Sequence, residues 1–284
     1  MRGFFRTIGF VLFLCVVIFD LLIRRPRSIA QRAAWMQKWS IRFLRYVGVK
    51  VDVPHPAPAS GAMVCNHLSY LDILVLGAQR PTVMVAKSEV RRWPLIGTIT
   101  AGAGTIYVER ERSTSTAIAA EQMAEAVRSG VFLLFFPEGT SGDSREVLPF
   151  RSPLFQPLIQ AAVPIWPAHL SYGLPSSPGS NWIVQNKICY WGDMNIVPHL
   201  MGMLQLRDVS CTLRYSQQPV LAHDRKVAAH RCHEIVEAMH RDAYRQTYKE
   251  RPSEEKPSAG RVHADGSAPA PRTSPANRFL VPSA

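Results

Sequence analysis

The chain has little of what usually staples small proteins or builds metal sites. Its five cysteines (Cys15, Cys65, Cys189, Cys211, Cys232) are odd in number, scattered, and include no C-x-x-C pair. That pattern argues against a disulfide framework or a zinc ribbon and favours a reducing compartment. Acidic residues are nearly missing from the front, where residues 1–50 set ten Lys/Arg against Asp20 alone. No internal repeat is present. There is also no hydrophobic run of full spanning length. The longest, "IGFVLFLCVVIFDLLI" at 8–23, is sixteen residues interrupted by Gly9 and Asp20. As a helix it reaches about 24 Å, short of the roughly 30 Å hydrocarbon core. It crosses a bilayer only with thinning and snorkelling arginines, or it enters one leaflet and returns. Arg2, Arg6 and the later "SIA" have the look of a cleaved signal, but "RRPR" puts charge where cleavage regions rarely carry it.

What is present starts with charge. The 284 residues carry a formal +12, of which +9 lies in residues 1–50 and +2 in the tail from Arg251 onward. The body between them is nearly neutral. A nucleic-acid domain spreads its positive footprint over a folded face. Here the basic arm is interleaved with apolar sequence, which points to an anionic lipid surface. The next segment, "RAAWMQKWSIRFLRYVGVK", sets Trp35, Trp39, Phe43 and Tyr46 on one helical face with Gly48 as a stop. Such a face suits either a membrane interface or a protein core. Its position behind an apolar anchor favours the membrane.

From Val49 short apolar runs alternate with helical patterns, the mark of an α/β domain. Strands are expected at "AMVCN", "TVMVAK", "TIYVE", "VFLLFF", "VPIWPAHL", "KICYW" and "SCTLRY", and helices near 71–79, 113–129, 151–161 and 223–246. Several strands are nearly continuous apolar runs, as in a sheet covered on both faces. The expected fold is a mixed, largely parallel sheet flanked by helices. The expected division is a membrane-associated segment at 1–48, a catalytic domain at 49–250, and a disordered Pro/Ser/Ala-rich tail at 251–284.

Four polar clusters sit at strand ends. In "CNHLSYLD" (65–72), His67 and Asp72 can meet if the His lies in a turn and the Asp one helical turn in. A carboxylate on one imidazole nitrogen leaves the other free as a base. Taken alone, the stretch reads better as a capped helix start with His67 as a turn residue, since H-x4-D occurs often by chance. "GTIYVERER" delivers Arg110 at a strand end, either as a clamp for phosphate or carboxylate or as a solvated charge. In "FFPEGTSG" (135–142), Glu138 follows six core-type residues, and Gly139 with Thr140 allows a ligand close to the backbone. "VPIWPAHL" holds two prolines, which places that strand at an edge or a bulge.

In this order, over residues 49–220, the clusters resemble the PlsC-type lysophospholipid and glycerolipid acyltransferases. "NHLSYLD" looks like the N-H-x4-D block, "GTIYVER" the G-x-I-F-I-x-R block, "FPEGTS" the F-P-E-G-T-R-S block and "VPIWPAHL" the proline-rich fourth block. "AKSEVRRWPLIG" is similar to the Lys-Glu-Pro-Gly stretch between the first two. The resemblance implies His67 as base and Asp72 as its orienting carboxylate. It further implies that Arg110, Glu138, Gly139 and Thr140 hold the acceptor head group, with Lys87 a further contact. Acyl-CoA or acyl carrier protein would be the donor, with no metal and no bound cofactor. The location implied is the inner membrane, catalytic domain on the cytoplasmic side.

Ser141 stands where the family commonly has Arg, with Arg145 and Arg151 as candidate substitutes. "SGDSREVLPFRSPLF" and "YWGDMNIVPHL" resemble a bacterial branch that includes lyso-ornithine lipid acyltransferases. Lysophosphatidate is the first expectation for the acceptor and lyso-ornithine lipid the alternative. Three rival readings carry less weight. They are a hydrolase with Cys65 as nucleophile, a lipid-binding protein without activity, and a metal site on the His223, His230, His233 and His240 stripe, whose "HEIVE" misses H-E-x-x-H.

Overall fold

A computed structural model describes residues 2–109, 113–177 and 181–249. In chain order the elements begin with helices α1 (Arg2–Arg24) and α2 (Ile29–Val47), then β1 (Lys50–Asp52), β2 (Ala62–Cys65), α3 (Tyr70–Gln79) and β3 (Thr82–Lys87). After them come α4 (Ile96–Gly102), β4 (Ile106–Val108), α5 (Ser113–Arg128), β5 (Phe132–Phe135), α6 (Gln156–Gln160) and β6 (Ile165–Gly173). The last are the single turn α7 (Asn181–Ile183), α8 (Ile196–Met203), β7 (Ser210–Tyr215) and α9 (Arg225–Lys249).

The strands form one seven-stranded sheet in the order β1-β7-β6-β2-β5-β3-β4. Only the β6–β7 pair is antiparallel, so β2 to β6 all end on the same edge. Every residue of β2 and β5 is buried, which is why they read as unbroken apolar runs. One hydrophobic layer packs this sheet against α1, α2, α3 and α8, and a second packs it against α5, α6 and α9. The expected fold class is the one observed. Gly61 shows how tightly β2 begins: its φ is +114°, and a Cβ there would lie 2.4 Å from the Pro164 carbonyl.

Three expectations are corrected. The "VPIWPAHL" strand, β6, is interior, between β7 and β2. Its Pro167 carbonyl accepts from Ser216 N at 2.8 Å, just past the last β6–β7 register pair, Ala168 and Tyr215. N and C=O of one strand residue point the same way, so the missing N–H falls where that ladder is ending. "KICYW" is no strand. Val184–Ile188 is a π-helical turn, and Ile188 and Cys189 are buried in the core without sheet pairing.

The third correction concerns the aromatic face of α2. Trp35, Trp39 and Phe43 are 4–6% exposed and pack inside the molecule. Phe13 of α1 meets Trp39 and Phe43 edge to face, with ring centroids 5.5 and 5.7 Å apart. Burying one Phe contributes about 1.5–3 kcal/mol, so this face stabilises the α1–α2 pair. Ser28 and Gln31 form a capping box at the start of α2, and Gly48, at φ +77°, closes it. At its far side α2 packs closely on α3. A Cβ on Gly77 would lie 3.1 Å from Ser40 Oγ.

α1 is longer than its apolar run suggested, 23 residues. It is the one helix among the described residues that is long and apolar enough to cross a membrane. One face packs inward through Phe10 and Val17, while Leu12, Phe19, Leu22 and Ile23 on the other are 59–65% exposed. Asp20, the lone acid of the arm, faces α2. It accepts the indole N–H groups of Trp35 and Trp39, both at 2.9 Å, and pairs with Lys38 at 3.2 Å and Arg24 at 2.7 Å. Asp20→Ala orphans two part-buried indole donors and Lys38. It is expected to cost about 2–4 kcal/mol, read as a lower thermal midpoint and faster proteolysis between α1 and α2 in detergent.

Candidate active site

β2 ends at Cys65, and Asn66 carries the chain one step further by exchanging side-chain bonds with Leu170 of β6. Its Nδ2 donates to the Leu170 carbonyl at 3.0 Å and its Oδ1 accepts from Leu170 N at 2.8 Å. The chain then leaves the sheet through His67 and Leu68 and enters α3 at Ser69. Ser69 is the N-cap, and Asp72 is its capping-box partner at the third helical position. That geometry folds Asp72 back on the turn that carries His67.

The Asp72 carboxylate is fully buried. Oδ2 lies 2.8 Å from His67 Nδ1 and accepts the backbone N–H groups of Leu68 at 2.6 Å and Ser69 at 2.8 Å. Oδ1 accepts the Tyr172 hydroxyl at 2.7 Å. A carboxylate already taking these donors acts as an acceptor toward His67 as well. In the neutral imidazole this places the proton on Nδ1 and leaves the Nε2 lone pair free. The imidazole stacks on Phe136 at 4.0 Å and 14°, which sets its plane. His67 keeps 19% of its side chain exposed at the strand-end edge.

The "FPEGTSG" segment wraps the same turn. Gly139 sits at φ +77°, and Gly142 N donates to the His67 carbonyl at 2.8 Å. Glu138 is 3% exposed, and its Oε1 is buried without a hydrogen-bond partner. Burial pushes its carboxyl up to about 9, with neighbouring Asp72 adding to the shift and the backbone amides of His67 and Leu148 opposing it. It is therefore a neutral acid beneath the turn at pH 7. Thr140 is exposed beside it. Lys87 is exposed at the end of β3, in register with Val108 of β4. Arg110, two residues after β4, lies outside the described residues, as does the tail 251–284. Ser141 donates its hydroxyl to the Tyr190 carbonyl, and Tyr190 N donates to the Leu68 carbonyl at 2.8 Å. Of the candidate substitutes for the missing Arg, Arg145 pairs with Asp143 at 3.1 Å and Arg151 is exposed.

The rival sites look different. Cys65 is fully buried and directs Sγ at Asn66 Oδ1, 3.4 Å away; burial pushes its thiol well up, the opposite of an activated nucleophile. On α9, His240 meets His169 at 3.2 Å and the Arg145 carbonyl at 3.1 Å, while His230 pairs with Glu234 at 3.3 Å. Among the described residues no three His, Cys, Asp or Glu converge as a metal-ligand set.

A family model described as "Acyltransferase" matches residues 47–171. The chain is 30% identical over 187 residues to the lyso-ornithine lipid O-acyltransferase of Brucella abortus, covering 62% of this chain and 70% of that one. The chain belongs to the PlsC-type acyltransferase family. It is also 34% identical over 155 residues to the lyso-ornithine lipid O-acyltransferase of Rhodobacter capsulatus, where the match spans 54% of that protein and 53% of this one. The chain thus spans roughly half to two thirds of the length of these relatives. The crystal structure of the LPA acyltransferase PlsC from Thermotoga maritima shares the fold, with TM-score 0.55 at 18% identity over 88% of this chain and all of that one.

In this member of the PlsC-type family the structure brings His67, Asp72, Glu138 and Gly139 together around one turn. Three residues at the site were not singled out from the sequence. Phe136 ends an apolar run and reads as core. Asn66 reads as a turn residue. Tyr172 carries a weak signal: Ala168, Leu170 and Tyr172 alternate along β6 and so share the face toward α3.

Glu138 gives a testable pH dependence. Its folded-state value is raised above the unfolded 4.5, so the folded protein binds the extra proton between the two values. The contribution to stability is complete below pH 4.5 and is lost as pH rises toward 9, at up to about 1.4 kcal/mol per pH unit. Thermal melts from pH 6 to 9 are expected to show wild type falling by several degrees relative to Glu138→Gln. Parallel curves would mean that Glu138 is ionised in the fold.

Proposed function

We propose that this protein is an O-acyltransferase that moves a fatty acyl group from a thioester to the free hydroxyl of a lysolipid. The observation that carries the reading is the His67–Asp72 pair at 2.8 Å, held at the edge where five strands end. His67 Nε2 takes the proton of the acceptor hydroxyl, while Nδ1–H stays on Asp72, which stabilises the imidazolium. The oxygen attacks the thioester carbonyl, the C–S bond breaks, and the proton passes to the departing thiolate of CoA or a carrier protein. General-base catalysis of this kind contributes roughly 10²–10⁴-fold, with positioning adding more. Lys87 at the end of β3, Gly139 and Thr140, together with Arg110, are proposed to meet the acceptor head group. Glu138, which the resemblance assigns to the same head group, is buried and is proposed instead to support the turn from beneath.

For the acceptor, lyso-ornithine lipid is favoured over lysophosphatidate, the reverse of the order the sequence suggested. Two relatives named for lyso-ornithine lipid support this. So does Ser141, whose hydroxyl is held by Tyr190 and which brings no cation to that position. The exposed apolar face of α1 and the basic arm around it are proposed to seat the body on the cytoplasmic face of an anionic membrane.

The reading is tested on membranes from cells expressing the protein, with lyso-ornithine lipid and lysophosphatidate each offered with acyl-CoA and with acyl carrier protein. Mass spectrometry is expected to find ornithine lipid as the main product, with His67→Ala and Asp72→Asn lowering it at least about 10²-fold. Full activity in His67→Ala would end the mechanism. Ser141→Arg is expected to raise the phosphatidate-to-ornithine-lipid ratio about tenfold. An unchanged ratio would remove position 141 from the account of specificity.

A further inference from the structure

We infer that Tyr172 is a third, positioning member of the His67–Asp72 pair, aiming the carboxylate and setting the basicity of the imidazole through it. The inference rests on the acyl-transfer reading of that pair.

Tyr172 lies a hundred residues from Asp72 in the chain, yet its hydroxyl donates to Oδ1 at 2.7 Å. Oδ1 is the oxygen that His67, Leu68 N and Ser69 N leave open, since all three use Oδ2. With the phenol present, both oxygens are fixed and the carboxylate plane cannot turn. The phenol is tightly held from behind: β6 is locked to β2 by the Asn66–Leu170 exchange two residues earlier. On its other side Tyr172 borders a cavity of about 390 Å³ of mixed polar and apolar lining, which Asn66, Leu170, His169 and His240 also line.

A donor on Oδ1 draws charge away from Oδ2. Losing it leaves the carboxylate more attractive to an imidazolium, so His67 holds its proton more tightly and works as a base only at higher pH. The groups facing this pair do not compete for that effect. Burial pushes Glu138 up to about 9 and Cys189 up to about 12, raises Cys65 and Cys211 well above the usual thiol range, and pulls His169 down to about 3. His240 and Arg145 line the cavity, and His240 is engaged by His169 and the Arg145 carbonyl.

The test uses full-length enzyme in detergent micelles with the acceptor it proves to use. Tyr172→Phe keeps the ring and removes only the hydroxyl. It is expected to lower kcat roughly tenfold with the acceptor KM unchanged, and to move the acidic limb of the kcat/KM profile about half a unit to higher pH. In an Asp72→Asn background the same substitution is expected to add little, because the partner is already altered. Should Tyr172→Phe fold poorly, 3-fluorotyrosine placed at 172 keeps the fold and strengthens the donor, moving the limb to lower pH instead. A wild-type profile in both variants, or losses that simply multiply with Asp72→Asn, would overturn the inference and leave the acyl-transfer reading standing. Inactive wild type, or activity that survives His67→Ala, would remove that reading and this inference with it.

Discussion

Everything at the strand-end edge is arranged around one carboxylate. Asp72 sits at full burial, where an unpaired charge is costly, and it is stabilised there by four donors drawn from a turn, a helix cap and a distant strand. The same bonds do two things. They close the first turn of α3, and they place His67 with Nδ1 occupied and Nε2 open. Fold and site share these contacts, so the helix start is itself the scaffold of the proposed base.

Around that centre the molecule uses backbone more than side chains. Gly142 N holds the His67 carbonyl, Tyr190 N holds the Leu68 carbonyl, and Arg151 N holds the Pro137 carbonyl. Two segments are thereby sewn to the His67 turn, and Arg151 in turn ties down the segment that carries Glu138. The charged groups not bound up in this way, such as Lys87, stay at the rim, where a head group would arrive.

Much of this was legible beforehand because it is local. The interior strands announce themselves as apolar runs, since both faces of β2 and β5 are covered. His67 and Asp72 lie within eight residues and meet through a helix cap. What was not legible depends on pairings that sequence does not mark. β1 is three residues long and polar on its exposed face, and α8 hides behind Pro198 and Gly202. "KICYW" was read as a strand because burial and strand formation leave the same apolar signature. The prolines of "VPIWPAHL" argue for an edge or a bulge, whereas the gap in the β7 ladder accommodates Pro167 in an interior strand. Tyr172 reaches Asp72 only through the register of β6 on β2. The aromatic face of α2 was ambiguous by nature: the same stripe suits lipid or protein, and Asp20 is the residue whose contacts turn it inward.

The Asp20 cluster has a mechanical consequence. It binds α1 to α2 through two indoles and a lysine, α2 rests on α3 where Ser40 meets Gly77, and α3 carries Asp72 in its first turn. These contacts lie in series from α1 to the turn before α3. A tilt imposed on α1 would pass along these contacts toward the turn that carries His67 and Asp72.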